Sequence, residues 1–133
     1  MKAGLIPYLI LMVVLLGLLS GLMTANRDSQ AAASGNATRG EVIFRKGMNE
    51  APPCITCHAL SEGVYSLGPV LAGVRERAGN RVEGLSEADY LQQSIVEPTA
   101  FIVSGYRPIM FPAYAEHLSE QDLRDVIAFL LTL

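Results

Sequence analysis

Three short stretches of this chain carry apolar residues at helical spacing among charges, and one long apolar run precedes them. In "TRGEVIFRKGM" (38–48) Val42, Ile43 and Phe44 stand between charged residues, with Thr38 as a cap and Gly47 as a stop. In "SEADYLQQSIVEP" (86–98) Ser86 and Asp89 have capping-box spacing. Ala88, Leu91 and Ile95 share one face there, and the pattern ends before Pro98. "SEQDLRDVIAFLLTL" (119–133) is the clearest: Ser119 caps it, and Glu120 and Asp122 sit in its electropositive first turn. Leu123, Val126, Ile127, Leu130 and Leu131 recur along one stripe. Residues 61–85 and 99–118 are rich in Gly and Pro and read as irregular, and no stretch shows a strand pattern. The expected fold is therefore all-α.

The apolar run is of another kind. "LIPYLILMVVLLGLLSGLM" (5–23) carries no charge, and only Tyr8 and Ser20 bring polar side-chain atoms. As a helix it would extend ~28 Å, close to the ~30 Å hydrocarbon core of a bilayer. Pro7 falls near its first turn, where a missing N–H costs little. A cleaved signal would have a shorter apolar core and a small-residue site close behind, whereas the nearest candidate here, Ala31 to Ala33, lies beyond Arg27 and Asp28. The expectation is a single-pass anchor over 1–23, a linker over 24–37 and one small domain over 38–133. Lys2 ahead of the span, against an Arg27 offset by Asp28, favours an extracytoplasmic domain. A flexible linker of that length would reach about 20 Å.

Charge narrows the partners. Of 10 Lys and Arg, Lys2 and Arg27 precede the domain, and of 13 Asp and Glu, Asp28 does; the domain thus has 8 against 12, a net −4. No basic cluster suits nucleic acid, and with Lys46 the domain's sole lysine, long-range steering to an acidic partner is not indicated. Three helices with this much loop make a thin core, and so small a domain gains from a staple or a prosthetic group.

The chemistry is concentrated in "PPCITCHAL" (52–60), which holds both cysteines, Cys54 and Cys57, and His58, one of two histidines. A disulfide here closes a very small loop and does little for a weak core. A redox dithiol should follow a strand in a βαβ pattern, and structural zinc needs four ligands. CxxCH is the haem-attachment pattern: two thiols on one turn can bond the porphyrin vinyls, and the next residue offers its imidazole to the iron. A second axial ligand should lie far along the chain. Met110, in the Pro-bounded "GYRPIMFPAY", is the candidate, and gap-filling in the core is the ordinary alternative for a loop methionine. His117 is the rival.

Taken together, residues 38–133 resemble the class I cytochromes c. The likeness rests on Gly40 and Phe44 with Val126 and Phe129, on "CITCH", on "LGPVLAGV" and on "GYRPIM" followed by "LSEQDLRDVIAFLLTL". It implies one covalent haem c attached through Cys54 and Cys57, with His58 and Met110 as axial ligands. The Pro69 carbonyl would accept from the His58 imidazole. Tyr106, Arg75, Arg77, Arg81 and Arg107 are candidates to face the propionates, with a solvated surface role as the ordinary alternative for each. It also implies that Gly40 and Phe44 pack against Val126 and Phe129 where the terminal helices cross. One departure stands out: many relatives have Met followed directly by Pro, whereas Phe111 intervenes between Met110 and Pro112.

"SIVEPTAFIVSGYRPIM" is similar to the cytochrome domains of subunit II of some haem–copper oxidases. It is also similar to the anchored monohaem subunits of quinol-oxidising assemblies such as alternative complex III. The resemblance implies a non-catalytic one-electron carrier, held by membrane lipid beside redox subunits and exchanging electrons with donor and acceptor proteins. A haem-based gas sensor or peroxide-reacting subunit, with a dissociable Met110, is the alternative from another class.

Overall fold

The structure, a computed structural model, describes residues 35–133 together with Ile10, Met12 and Val13, which are helical and exposed. Most of the apolar run at 5–23, and the linker up to residue 34, lie outside the described residues. Among the described residues no helix is long and apolar enough to cross a membrane.

Within residues 35–133 five α-helices follow one another: α1 (Ala37–Lys46), α2 (Val74–Ala78), α3 (Glu87–Val96), α4 (Tyr114–His117) and α5 (Glu120–Leu130), with a 3-10 turn at Cys54–Thr56 between the first two. The described residues contain no strand, only an isolated antiparallel bridge between Met48 and Ala51. The all-α expectation holds. α1 begins one residue earlier than the expected cap: Asn36, not Thr38, accepts from the Arg39 N–H at 3.0 Å. It stops where expected, at Gly47, whose φ of 74° suits glycine and whose N–H donates to the Ile43 carbonyl at 2.8 Å. α3 is capped by Ser86 and α5 by a capping box of Ser119 and Asp122. α2 and α4 lie within the stretches that read as irregular; at one turn each they are too short to show periodicity.

α1 packs chiefly on α5. The crossing is close because Gly40 has no side chain: a Cβ there would overlap the Asp125 carbonyl and meet the Val126 nitrogen at 2.9 Å. Beside it the rings of Phe44 and Phe129 stack at 5.4 Å between centroids. This is the expected pairing of Gly40 and Phe44 with Val126 and Phe129.

The buried face of α5 differs from the predicted stripe. Val126, Ile127 and Leu130 are buried, but Leu123 and Leu131 are only half-buried, and Asp122, Asp125 and Phe129 are buried instead. The cause is Arg39 on α1, which forms ion pairs with both carboxylates. Asp125 also accepts from the Asn36 N–H at 2.7 Å and from Gln121 at 2.8 Å. Burial pushes both aspartates up, but hydrogen bonds from Ser119 (to Asp122) and Asn36 (to Asp125), together with Arg39, outweigh it and hold both below the ordinary carboxylate range. The two ends of the folded chain are thereby tied by charge as well as by packing.

Candidate haem site

The attachment motif sits on the 3-10 turn at Cys54–Thr56. Pro53 enters it extended, at φ −60° and ψ 133°. The 3-10 turn then closes as the N–H groups of Cys57 and His58 both donate to the Cys54 carbonyl, at 3.1 and 3.0 Å. That turn brings Cys54, Cys57 and His58 to the wall of one cleft, with both cysteines as free thiols. No strand leads into the pair. Among the described residues no three His, Cys, Asp or Glu side chains gather as a metal cluster. The geometry thus matches neither a disulfide, a thioredoxin-like dithiol nor a zinc site.

His58 is held from behind. Its Nδ1 lies 2.8 Å from the Pro69 carbonyl oxygen. A carbonyl can only accept, so Nδ1 carries the proton and Nε2 keeps its lone pair. Burial pushes the imidazole below its ordinary pKa, against the opposing pull of that carbonyl. The ring is therefore neutral, the form that ligates metal. Gly68 lets the loop backbone lie against the ring, since a Cβ there would come within 2.6 Å of Cε1.

The loop carrying Pro69 is itself clamped. Ser66 Oγ donates to the Cys57 carbonyl at 2.7 Å and accepts from the Ala59 N–H at 3.0 Å. The Gly68 N–H donates to Cys57 and the Leu71 N–H to Ala59, each at 2.8 Å. Beyond Pro69, Arg77 donates to the Ala72 and Val70 carbonyls at 2.7 and 2.8 Å. Arg77 thus straps a loop, a role its sequence position did not announce. It still lines the cleft, as do Arg81, Arg107 and Tyr106, while Arg75 is exposed and does not.

Met110 is half-buried and lines the same cleft as His58, whereas Met48 and His117 do not. Phe111 turns away from the lining; its ring meets Tyr114 edge to face at 5.1 Å and packs at a tilt against His117 at 5.7 Å. The extra residue before Pro112 is therefore taken up by an aromatic cluster behind the cleft. Sequence reasoning missed Tyr114, whose hydroxyl donates to the Pro52 carbonyl at 3.0 Å and lies against the Cys54 thiol. Burial first, and Cys54 second, push that hydroxyl above its ordinary pKa; burial likewise raises Cys54. Tyr114 opens α4, a single turn too short to give a periodic signal.

The cleft has about 1130 Å³ of empty space when the solvent at its open mouth is included, and its lining is mainly apolar. Two thiols on one turn, a neutral imidazole with a free Nε2 and a thioether on one apolar cavity are a donor set that fits a covalently bound haem. Cys54, Cys57 and His58 match the CxxCH haem-binding motif.

Comparison with known families agrees. The family model described as Cytochrome c matches residues 37–133. No curated protein matches the chain. The helical fold, the CxxCH turn and the family match, which takes in all five helices, lead to one conclusion: the chain belongs to the cytochrome c family, as a class I c-type cytochrome that carries covalent haem c and transfers electrons to and from redox partners.

Proposed function

We propose that this cytochrome is a membrane-anchored monohaem subunit of a quinol-oxidising respiratory or photosynthetic complex such as alternative complex III. It passes electrons to a soluble carrier or a terminal oxidase. Residues 1–23 are its single-pass anchor, 24–37 its tether and 38–133 its haem domain, on the extracytoplasmic side of the cytoplasmic membrane. Membrane lipid and the redox subunits of the complex are its neighbours. The long uncharged run at 5–23 supports the anchor, and the likeness of "SIVEPTAFIVSGYRPIM" to anchored monohaem subunits supports the assembly.

The observation that carries the site assignment is the convergence of Cys54, Cys57, His58 and Met110 on one cleft. Bound haem supplies an iron that exchanges one electron. Cys54 and Cys57 would hold it by thioether bonds, and His58 and Met110 would ligate its iron. Pro69 orients His58 and strengthens it as a donor. Tyr106, Arg81 and Arg107, which line the cleft, would be placed to meet the propionates. Axial Met favours the reduced state, and the apolar walls act in the same direction by penalising extra positive charge. With His58 and Met110 both ligating, the protein would leave no position open to substrate, in keeping with the electron transfer of the family.

Native electrophoresis of detergent-solubilised membranes, stained for haem, tests the assembly. The haem band should migrate well above the 14.3 kDa of the chain, together with other redox subunits. A haem stain found only in the soluble fraction would refute the anchor. A small free band from the membrane would refute the fixed subunit in favour of a tethered shuttle. Carbon monoxide added to the reduced protein distinguishes the sensor alternative, because a carrier with Met110 bound should react little.

A further inference from the structure

The segment that carries Met110 has few polar ties to the rest of the fold, and they converge. Most hydrogen bonds formed by residues 99–118 stay local, such as the Tyr106 N–H to the Val103 carbonyl at 3.1 Å and the Leu118 N–H to the Tyr114 carbonyl at 2.9 Å. Apart from the Ala100 N–H, which donates to the nearby Glu97 carbonyl at 2.8 Å, those that leave the segment, among the described residues, end on the loop just ahead of the CxxCH turn. His117 Nδ1 donates to the Asn49 carbonyl at 2.6 Å, and Asn49 Nδ2 donates back to the His117 carbonyl at 3.0 Å. Tyr114 reaches Pro52 and Cys54 from the same side.

Asn49 is shaped for this contact. Its φ is 47°, in the left-handed region that asparagine tolerates better than most residues. That conformation lets one residue present both its carbonyl and its side-chain amide to His117. Between the latch and Met110 stands Phe111, its ring tilted against the imidazole of His117 and edge to face with Tyr114. The latch therefore bears on the residue next to Met110, through a ring and not through the cleft.

We propose that Asn49 and His117 form a two-hydrogen-bond latch that positions Met110, by pinning the distal segment to the loop that leads into the haem-attachment turn. His117 is thus a positioning residue and not an iron ligand. The inference rests on the reading of Met110 as the distal ligand. Breaking the latch leaves the thioether bonds and the His58 side intact but lets the Met110 segment move away from the iron more often. Since the open fraction sets the apparent affinity for an external ligand, losing one hydrogen bond of ordinary strength should raise that affinity by about 2–10-fold.

The test uses holoprotein and four variants. Asn49→Gly removes the side-chain donor while keeping the backbone carbonyl and easing the left-handed conformation. His117→Leu removes the imidazole donor, and His117→Asn keeps a donor near the position of Nδ1. Met110→Ala is the reference for a lost ligand. The readouts are the far-red sulfur–iron absorbance of the ferric form and titration with imidazole. Guanidinium unfolding is followed both at that band and by far-ultraviolet circular dichroism.

Asn49→Gly and His117→Leu should bind imidazole more tightly and lose the band at lower guanidinium than their helicity, while His117→Asn stays close to the parent. Unchanged imidazole affinity in both breaking variants would overturn the latch, as would simultaneous loss of band and helicity. A parent without the band, or a band that survives Met110→Ala, would overturn the Met110 reading instead, and the latch with it.

Discussion

The crossing of α1 and α5 leads to the most discriminating stability experiment, the substitution Gly40→Ala. Helix propensity alone predicts a gain, since alanine exceeds glycine by about 1 kcal/mol within a helix. The structure predicts the opposite. The new Cβ would overlap the Asp125 carbonyl and stand 2.9 Å from the Val126 nitrogen. These are backbone atoms, so no rotamer change relieves the clash and the helices must separate. Separation also loosens the Phe44–Phe129 stack, which is at 5.4 Å. Overpacking costs about 1–3 kcal/mol, more where nothing can yield, so the net loss should be about 2 kcal/mol.

For a domain of this size that corresponds to a fall in Tm of about 10 °C, or of roughly 0.3–1 M in guanidinium midpoint. The assay is unfolding of the holoprotein followed by circular dichroism. Val42→Ala on the same helix is the control: Val42 is 47 % exposed, and its change should stay within about 0.5 kcal/mol. Adding Val126→Ala to Gly40→Ala should not restore stability, because the collision is with main chain. Parent-like or greater stability of Gly40→Ala would refute this account of the crossing, and rescue by Val126→Ala would refute its backbone origin.

Other expectations follow from the same contacts. Arg39→Gln should destabilise the domain at neutral pH, leaving Asp122 and Asp125 buried without their cation. Both folded-state pKa values lie below the unfolded value of about 3.8, so the stabilisation is full above that pH and is lost as pH falls through the folded values. Stability measured against pH should accordingly show parent and variant converging in acid; a gap that persists there would contradict the assignment. Tyr114→Phe keeps the ring but loses the 3.0 Å bond to Pro52, and should lower stability by about 0.5–1.5 kcal/mol in chemical unfolding, with no change counting against it. Gly68→Ala should force His58 off its present orientation, because the new Cβ meets the ring at 2.6 Å. Disturbed axial ligation should appear as a changed ferric spectrum, and a spectrum identical to the parent would show that the loop can yield.

What the sequence determined by itself is local chemistry and local structure. CxxCH keeps two thiols and an imidazole within a few residues of one another, the spacing that one turn needs to present all three together. Ser86 and Ser119 cap their helices through partners three residues away, and Gly47 stops α1 because it tolerates a positive φ. The choice of Met110, and the tie between Pro69 and His58, came by likeness to a family and not from spacing.

Only the tertiary structure decided which residues meet across the chain. The face that α5 buries turned on Arg39, a residue 83 positions from Asp122, and no periodicity within α5 encodes a cation on another helix. The pairing of Asn49 with His117, the two carbonyls strapped by Arg77 and the turning of Phe111 out of the cleft lining are similarly invisible to pattern. α2 and α4 escaped for a different reason: a single turn is formed by its neighbours' packing, not by its own repeat. Pattern reports what a residue does within a turn or two, and burial and long-range hydrogen bonds depend on which distant segment folds against it.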